Sequence, residues 1–475
     1  MTRFFTIKYF VLLGFLLRLV FAFLIAPYYF HSNEYWVSGD TALWTTAFTN
    51  LLEHGIFSTA LDMEYGVVGR LPGYSFILGP IYYLCGKDLM LAAKILCSIQ
   101  ILLDTACIYF VYKIILNLNF TKPQALIAAF AYTFYPFSIV WVPVAHSETV
   151  SGFFMFLGLL FITRPNTTIA VSFFGGLSIG ASILTRPQVL PLGGLIGLML
   201  LVNIYFFRKY IKKELLVFTA YSLGIFLSYG IWPIRNIVNH GKLELAQDIR
   251  GLPMWTEDMV AFRRFIYSVK DDWNPQFTDM LQNKKIKFPL KNMTIEDEAK
   301  LDQAVFMAQN CSETFSRWYM PGKVIGRKSH QEDTCRYKIA AIFDELREKQ
   351  IKANPLDFYL FIPLKNLNKC LFKGSLYKDV KRLDMSQRVL FIFRTLLILL
   401  GLFFYCNSFL YGNHINQWFW LFFIYFWCLY LILSFGTSLQ TRNIEMRYLL
   451  PGDVLLLFPA AIFVSQLTDF IKQRR

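Results

Sequence analysis

The chain has 475 residues, 55% of them hydrophobic and 48 of them Phe, with a mean hydropathy of +0.42, which excludes an ordinary soluble protein of this size. The formal charge of +15 would suit nucleic acid in a soluble chain, but Lys and Arg gather on the cytoplasmic side of membrane proteins, so no nucleic-acid partner is expected. The eight Cys form no C-x-x-C pair and have no His at zinc spacing. Five lie in apolar stretches as packing residues, while Cys311, Cys335 and Cys370 share one polar segment with room for one disulfide.

Apolar runs of about 20 residues, enough for a bilayer core of roughly 30 Å, recur along the chain. The first, 9–30, is too long for a signal-peptide core and has no small-x-small cleavage site, so it reads as a retained anchor. The others are 71–86, 90–113, 123–142, 149–161, 168–184, 189–207, 214–232, 388–405, 418–436 and 447–467. The stretch 71–86 carries Pro72, Gly73, Gly79 and Pro80 and is too short to span at about 1.5 Å per residue. It reads as a re-entrant or interfacial helix in the first outer loop. Ten crossings remain. With a cytoplasmic N-terminus they put Arg3, Lys8, Lys113, Lys122, Arg164, Arg208, Lys213 and the tail Lys472, Arg474 and Arg475 inside, as the positive-inside rule requires.

The expectation is therefore an all-α polytopic protein of the inner (plasma) membrane, a bundle of about ten transmembrane helices with both termini cytoplasmic. Its parts are a transmembrane catalytic module at 1–234 with a first outer loop at 31–86, an extracytoplasmic segment at 235–387, and C-terminal transmembrane helices at 388–475. The middle segment is mostly helical, with patterns around 296–308 and 338–351.

Polar marks collect at helix ends on the outer side. Asp40 opens an amphipathic helix at 38–55, as an N-cap or as a base. Arg70 precedes a Pro-Gly break at the membrane surface, where a guanidinium meets either lipid head groups or a substrate phosphate. His146 and Glu148 begin another helix, where Glu148 complements the dipole or faces substrate. The pair raises a divalent metal, but two ligands do not make a site, and the sequence requires no cofactor. Arg186-Pro187 turns between two helices, Arg235-Asn236 stands where the chain leaves the membrane, and Glu445 and Arg447 stand at the outer start of the last helix.

The series Asp40, Arg70-Leu71-Pro72-Gly73-Tyr74, Glu148, Leu184-Thr185-Arg186-Pro187, Trp232-Pro233-x-Arg235-Asn236, Gly251 with Trp255, and Glu445-x-Arg447-Tyr448-x-x-Pro451 resembles the GT-C superfamily of membrane glycosyltransferases. It is close to the bacterial relatives of protein O-mannosyltransferases and to the lipid A aminoarabinose transferase. The resemblance implies a GT-C bundle, a polyprenyl-phosphate sugar donor, a lipid, glycan or protein acceptor on the extracytoplasmic face, and inverting transfer. It implies Asp40 as general base and Glu148 as a second catalytic residue. Arg70, Arg235 and Arg447 would hold the donor phosphate, and Tyr74, His146, Arg186, Asn236 and Glu445 would line the substrate cavity. Two positions depart from the family pattern: Thr41 follows Asp40 where an acidic residue or Arg is common, and Ala246-Gln247-Asp248 stands where Ser-Thr-Asn is common.

Two rivals belong to other classes. A lipid or lipid-linked-sugar flippase should show paired repeats with helices interrupted near the midplane, and a scaffold needs no carboxylate beside arginines. One further expectation is structural. Counted from the cytoplasmic ends, Arg18 and Asp104 both lie roughly 13 Å deep, level enough to pair across adjacent antiparallel helices. The alternative has Arg18 snorkelling inward and Asp104 protonated or bonded to a hydroxyl.

Overall fold

The computed structural model describes residues 6–206, 210–253, 255–269, 294–311, 329–372, 383–410, 415–436 and 446–473. Among them secondary structure is helical throughout. The chain divides into two compact units, Met1–Asp248 with Gly374–Leu429 and Met446–Arg475, and Ile249–Lys373 with Tyr430–Glu445.

The first unit opens with α1 (Ile7–Phe30), which eases through a π-turn at Phe21–Ile25. The amphipathic α2 (Gly39–His54) follows and stops at Gly55, whose φ of 72° suits a residue without Cβ. Then come α3 (Pro72–Leu84), α4 (Leu89–Asn117), α5 (Lys122–Trp141), α6 (Ser147–Ile162), α7 (Ile169–Thr185), α8 (Pro187–Phe206) and α9 (Ile211–His240). α5 is interrupted at Phe134 and Tyr135, just before Pro136, which has no N–H to continue the ladder.

The second unit packs α10 (Glu257–Val269), α11 (Ile295–Cys311) and α12 (Ser329–Ala353) around Phe262, Phe265, Leu301, Ala304, Ile339 and Phe343. Phe343 meets Phe262 and Phe265 with ring centroids 5.1 and 5.7 Å apart. Cys311 and Cys335 form a disulfide, of which Cys370, on α13 (Ile362–Phe372), is not part. The two expected helical patterns are thus parts of α11 and α12, each longer than its apolar stripe.

The remaining membrane helices are α14 (Val389–Leu410), α15 (Gln417–Gly436) and α16 (Leu450–Lys472). Among the described residues eight helices are long and apolar enough to cross a membrane: α1, α4, α5, α8, α9, α14, α15 and α16. α6 and α7 are apolar but shorter, at 16 and 17 residues, and complete the ten segments read from hydropathy. α3 has 13 residues, about 20 Å at the helical rise, too little for a span. α9 runs two turns past the expected end at 232, so Arg235 and Asn236 lie inside a helix, not at its exit.

Two buried ion pairs lock helices of the first unit together. Arg18 on α1, fully buried, donates from Nε to Asp104 Oδ2 on α4 at 2.5 Å, and Tyr132 on α5 donates to Asp104 Oδ1 at 2.7 Å. Arg18 also reaches the Gly14 and Thr133 carbonyls and Ser138 Oγ, at 3.1, 3.3 and 3.3 Å. Arg394 on α14 and Asp453 on α16 form the second pair, at 2.6 Å with both side chains at most 2% exposed.

Candidate active site

α2 begins with Ser38 as N-cap, whose N–H donates to Thr41 Oγ1 at 2.9 Å. The cap position is therefore filled by Ser38, and Asp40, in the first turn, has its carboxylate free to face other elements. Thr41 Oγ1 donates to the Ala145 carbonyl at 3.0 Å and the Ala145 N–H donates to the Trp36 carbonyl at 2.9 Å, which stitches this helix start to the turn between α5 and α6. From that turn Gln100, fully buried on α4, donates to the Val142 and Val144 carbonyls, both at 2.9 Å. Tyr74, also fully buried, donates to Gln100 Oε1 at 3.1 Å. Tyr74 thus supports the turn that carries His146.

On this frame the charged side chains form one linked series. Asp40 accepts from Arg70 Nη2 on one oxygen and from Arg447 Nη2 at 2.9 Å on the other. Arg447 also donates to His146 Nδ1 and lies 3.6 Å from Glu148 Oε1. Glu148 in turn is ion-paired with Arg186. A guanidinium only donates, so His146 Nδ1 accepts and Nε2 carries the proton toward Ser38 Oγ. In that tautomer the 3.5 Å approach of Nδ1 to Glu148 is not a charge pair.

Aromatic faces back each cation. Arg70 lies 5.1 Å over Trp44, one turn after Asp40; Arg186 lies 5.6 Å over Tyr448; Arg447 lies 5.6 Å over Tyr448 and 5.9 Å over Trp141. Among the described residues three guanidiniums therefore face two carboxylates at this end of the bundle. Burial alone would raise the Asp40 carboxyl; Arg70, then Arg447, outweigh it and hold the group below its ordinary value.

Glu148, Arg186 and Arg447 of the cluster line a cavity whose wall also includes Trp141, Phe156 and Tyr135, and which reaches Asp104 and Tyr132. Arg447 sits in a short 3-10 turn, Met446–Tyr448, ahead of α16, which begins at Leu450, about one turn after the expected start at 447. Glu445 lies outside the described residues.

Arg235 and Asn236 stand apart from this cluster. Arg235 donates to the carbonyls of Val67 at 2.7 Å and Phe57 at 2.9 Å, and to Asn236 Oδ1 at 2.9 Å. Asn236, fully buried, donates to the Glu244 carbonyl at 3.1 Å. The two residues pin the first loop to α9. Sequence reasoning missed Gln100, Trp44 and Trp141. Gln100 had a signal, an amide one turn before Asp104 in an otherwise apolar helix; the tryptophans had none, because aromatic residues are common throughout.

No known sequence family and no functionally characterised protein matches the chain by sequence. Solved structures do. The archaeal oligosaccharyltransferase AglB from Archaeoglobus fulgidus, in complex with an inhibitory peptide and a dolichol-phosphate, matches with a TM-score of 0.50 at 12% identity over 99% of this chain and 52% of that one. The chain has the GT-C fold. It spans about half the length of AglB. Another structure of an A. fulgidus oligosaccharyltransferase, with Zn and sulfate, has a TM-score of 0.33 at 13% identity, covering 76% and 51% of the two chains. ArnT from Cupriavidus metallidurans in the apo state has 0.30 at 11%, covering 86% and 73%. In this GT-C bundle no group of three or more His, Cys, Asp or Glu side chains gathers as metal ligands among the described residues; the carboxylates of the site face guanidiniums instead.

Proposed function

We propose that the chain is an inverting glycosyltransferase that moves a sugar from a polyprenyl-phosphate donor to an acceptor hydroxyl on the extracytoplasmic face of the membrane. The observation that supports this most is Asp40 held between Arg70 and Arg447, with Arg447 also lining a largely apolar cavity. A lipid phosphate needs cations at the membrane surface, and the acceptor hydroxyl needs a base.

The two needs are coupled here. In the free protein the arginines neutralise Asp40, and a carboxylate so held is a weak base. A donor phosphate competes for the same N–H groups through bidentate contacts. Once they turn to it, Asp40 keeps its charge, loses its partners and gains a neighbouring anion, all of which raise its affinity for a proton. The acceptor oxygen attacks the anomeric carbon from the side opposite the phosphate, its proton passes to Asp40, and the bond from the anomeric carbon to the phosphate oxygen breaks. Polyprenyl phosphate leaves with the bonding pair, stabilised by Arg70 and Arg447. A phosphate is a good leaving group without a second acid, so Glu148 serves to hold Arg186 and Arg447 in place.

Purified protein incubated with radiolabelled polyprenyl-phosphate sugars and a membrane extract should move label from the donor into a product. Label that stays on the donor lipid but changes bilayer leaflet would replace transfer with transport.

A further inference from the structure

The cavity below Glu148 and Arg186 holds a group that the ion network leaves unused. Tyr135 lines it, is 2% exposed, and its hydroxyl has no hydrogen-bond partner. Two neighbouring hydroxyls are committed elsewhere. Tyr132 donates to Asp104, and Ser138 Oγ donates to the Tyr135 carbonyl at 3.1 Å while accepting from Arg18. Tyr135 is also placed with care: it occupies the interruption of α5 ahead of Pro136, and its ring is packed against Tyr132, Phe137 and Phe393. A phenylalanine would fill the same space without burying a lone hydroxyl, and buried polar groups in folded proteins are nearly always satisfied. Nearby, Arg186 Nε is likewise buried without a hydrogen-bond partner, so the cavity offers two buried donors.

The chemistry of the occupant follows from those donors and the walls. A polyprenyl chain carries no acceptor and would leave both donors unsatisfied in the apolar interior. The phosphate is matched by the guanidiniums of Arg70 and Arg447 on either side of Asp40. A sugar ring presents C–H faces to Phe137, Trp141 and Phe156 and carries oxygens that accept. We infer that this cavity is the subsite for the transferred sugar and that the Tyr135 hydroxyl donates to one of the sugar's oxygens. This assignment rests on the reading of the protein as a polyprenyl-phosphate sugar transferase and makes Tyr135 a determinant of which sugar is accepted.

The test is Tyr135→Phe, which removes one oxygen and keeps the ring. Binding to the full-length protein is measured for undecaprenyl phosphate and for undecaprenyl phosphate carrying mannose, glucose or 4-amino-4-deoxyarabinose. The expected result is about tenfold weaker binding of the sugar-bearing lipid that the wild type prefers, with sugar-free undecaprenyl phosphate changed by less than about twofold and the melting temperature not lowered. Equal weakening for both lipids would put Tyr135 on the phosphate or the chain and overturn the assignment. No change for either would leave the hydroxyl to water and overturn it too. Wild-type protein that binds none of these lipids would remove the transferase reading itself, and the sugar subsite with it, a result distinct from a wild type that binds and a variant that does not differ.

Discussion

Asp40 accepts from Arg70 and Arg447 at once, so in the unliganded protein its charge is committed on both oxygens. Its pKa lies below the ordinary value, and the sign of the linkage follows. The interaction stabilises the fold fully above the unfolded carboxyl value of about 3.9 and fades as pH falls through the lower folded one. The melting-temperature gap between wild type and Asp40→Asn should therefore stay flat from about pH 8 to about pH 5 and shrink below about pH 4. A gap that closes between neutrality and pH 5 would show that Asp40 is not held this way. Arg70→Ala should weaken donor binding more than it changes the KM for acceptor, since the guanidinium is matched to a phosphate; equal losses would count against that role. At this scale the sequence was informative about which residue types matter and silent on their partners. Asp40 reads equally as cap or base, and the structure puts Ser38 at the cap; nothing in the sequence around Arg235 tells that its N–H groups lie on the carbonyls of Val67 and Phe57.

α3 shows why an element too short to span is retained. Pro72 starts it, and Gly73 lets its first turn lie against the end of α7: a Cβ at Gly73 would stand 2.6 Å from the Leu184 carbonyl oxygen. That contact sets the register between Arg70, just before α3, and Arg186, just after α7. Gly73→Ala should destabilise the protein by about 1–3 kcal/mol, as overpacking against backbone does, and should lower transfer, whereas Gly39→Ala, with open space around the position, should do neither. Thermal melts of the two variants side by side check this. The shortness of 71–86 and its Pro and Gly content were enough to remove it from the list of crossings. The extension of α9 past Trp232 was not legible, because a polar run ends the hydropathy signal while the helix continues through Arg235 and Asn236, whose side chains are satisfied by the first loop.

At the scale of the first unit, buried pairs hold its helices level. Arg18 and Asp104 stand at one depth when residues are counted from the cytoplasmic ends, and Arg394 and Asp453 are a second pair of comparable burial. Arg18→Met should destabilise by about 3–5 kcal/mol, because it leaves the Asp104 charge buried without its partner. Arg18→Met combined with Asp104→Leu should be less destabilised than Arg18→Met alone; a double variant that is simply the sum of the singles would show that the two side chains do not interact.

The account turns on one carboxylate acting as a base on a donor held by arginines. The direct measurement is the rate of sugar transfer from a polyprenyl-phosphate donor by Asp40→Asn, taken together with its donor affinity. The prediction is a loss of about 10²- to 10⁴-fold in turnover with donor binding retained or strengthened, since Arg70 and Arg447 are freed for the phosphate. Near-normal turnover by Asp40→Asn, with the donor bound as in the wild type, would contradict the account and place the base elsewhere.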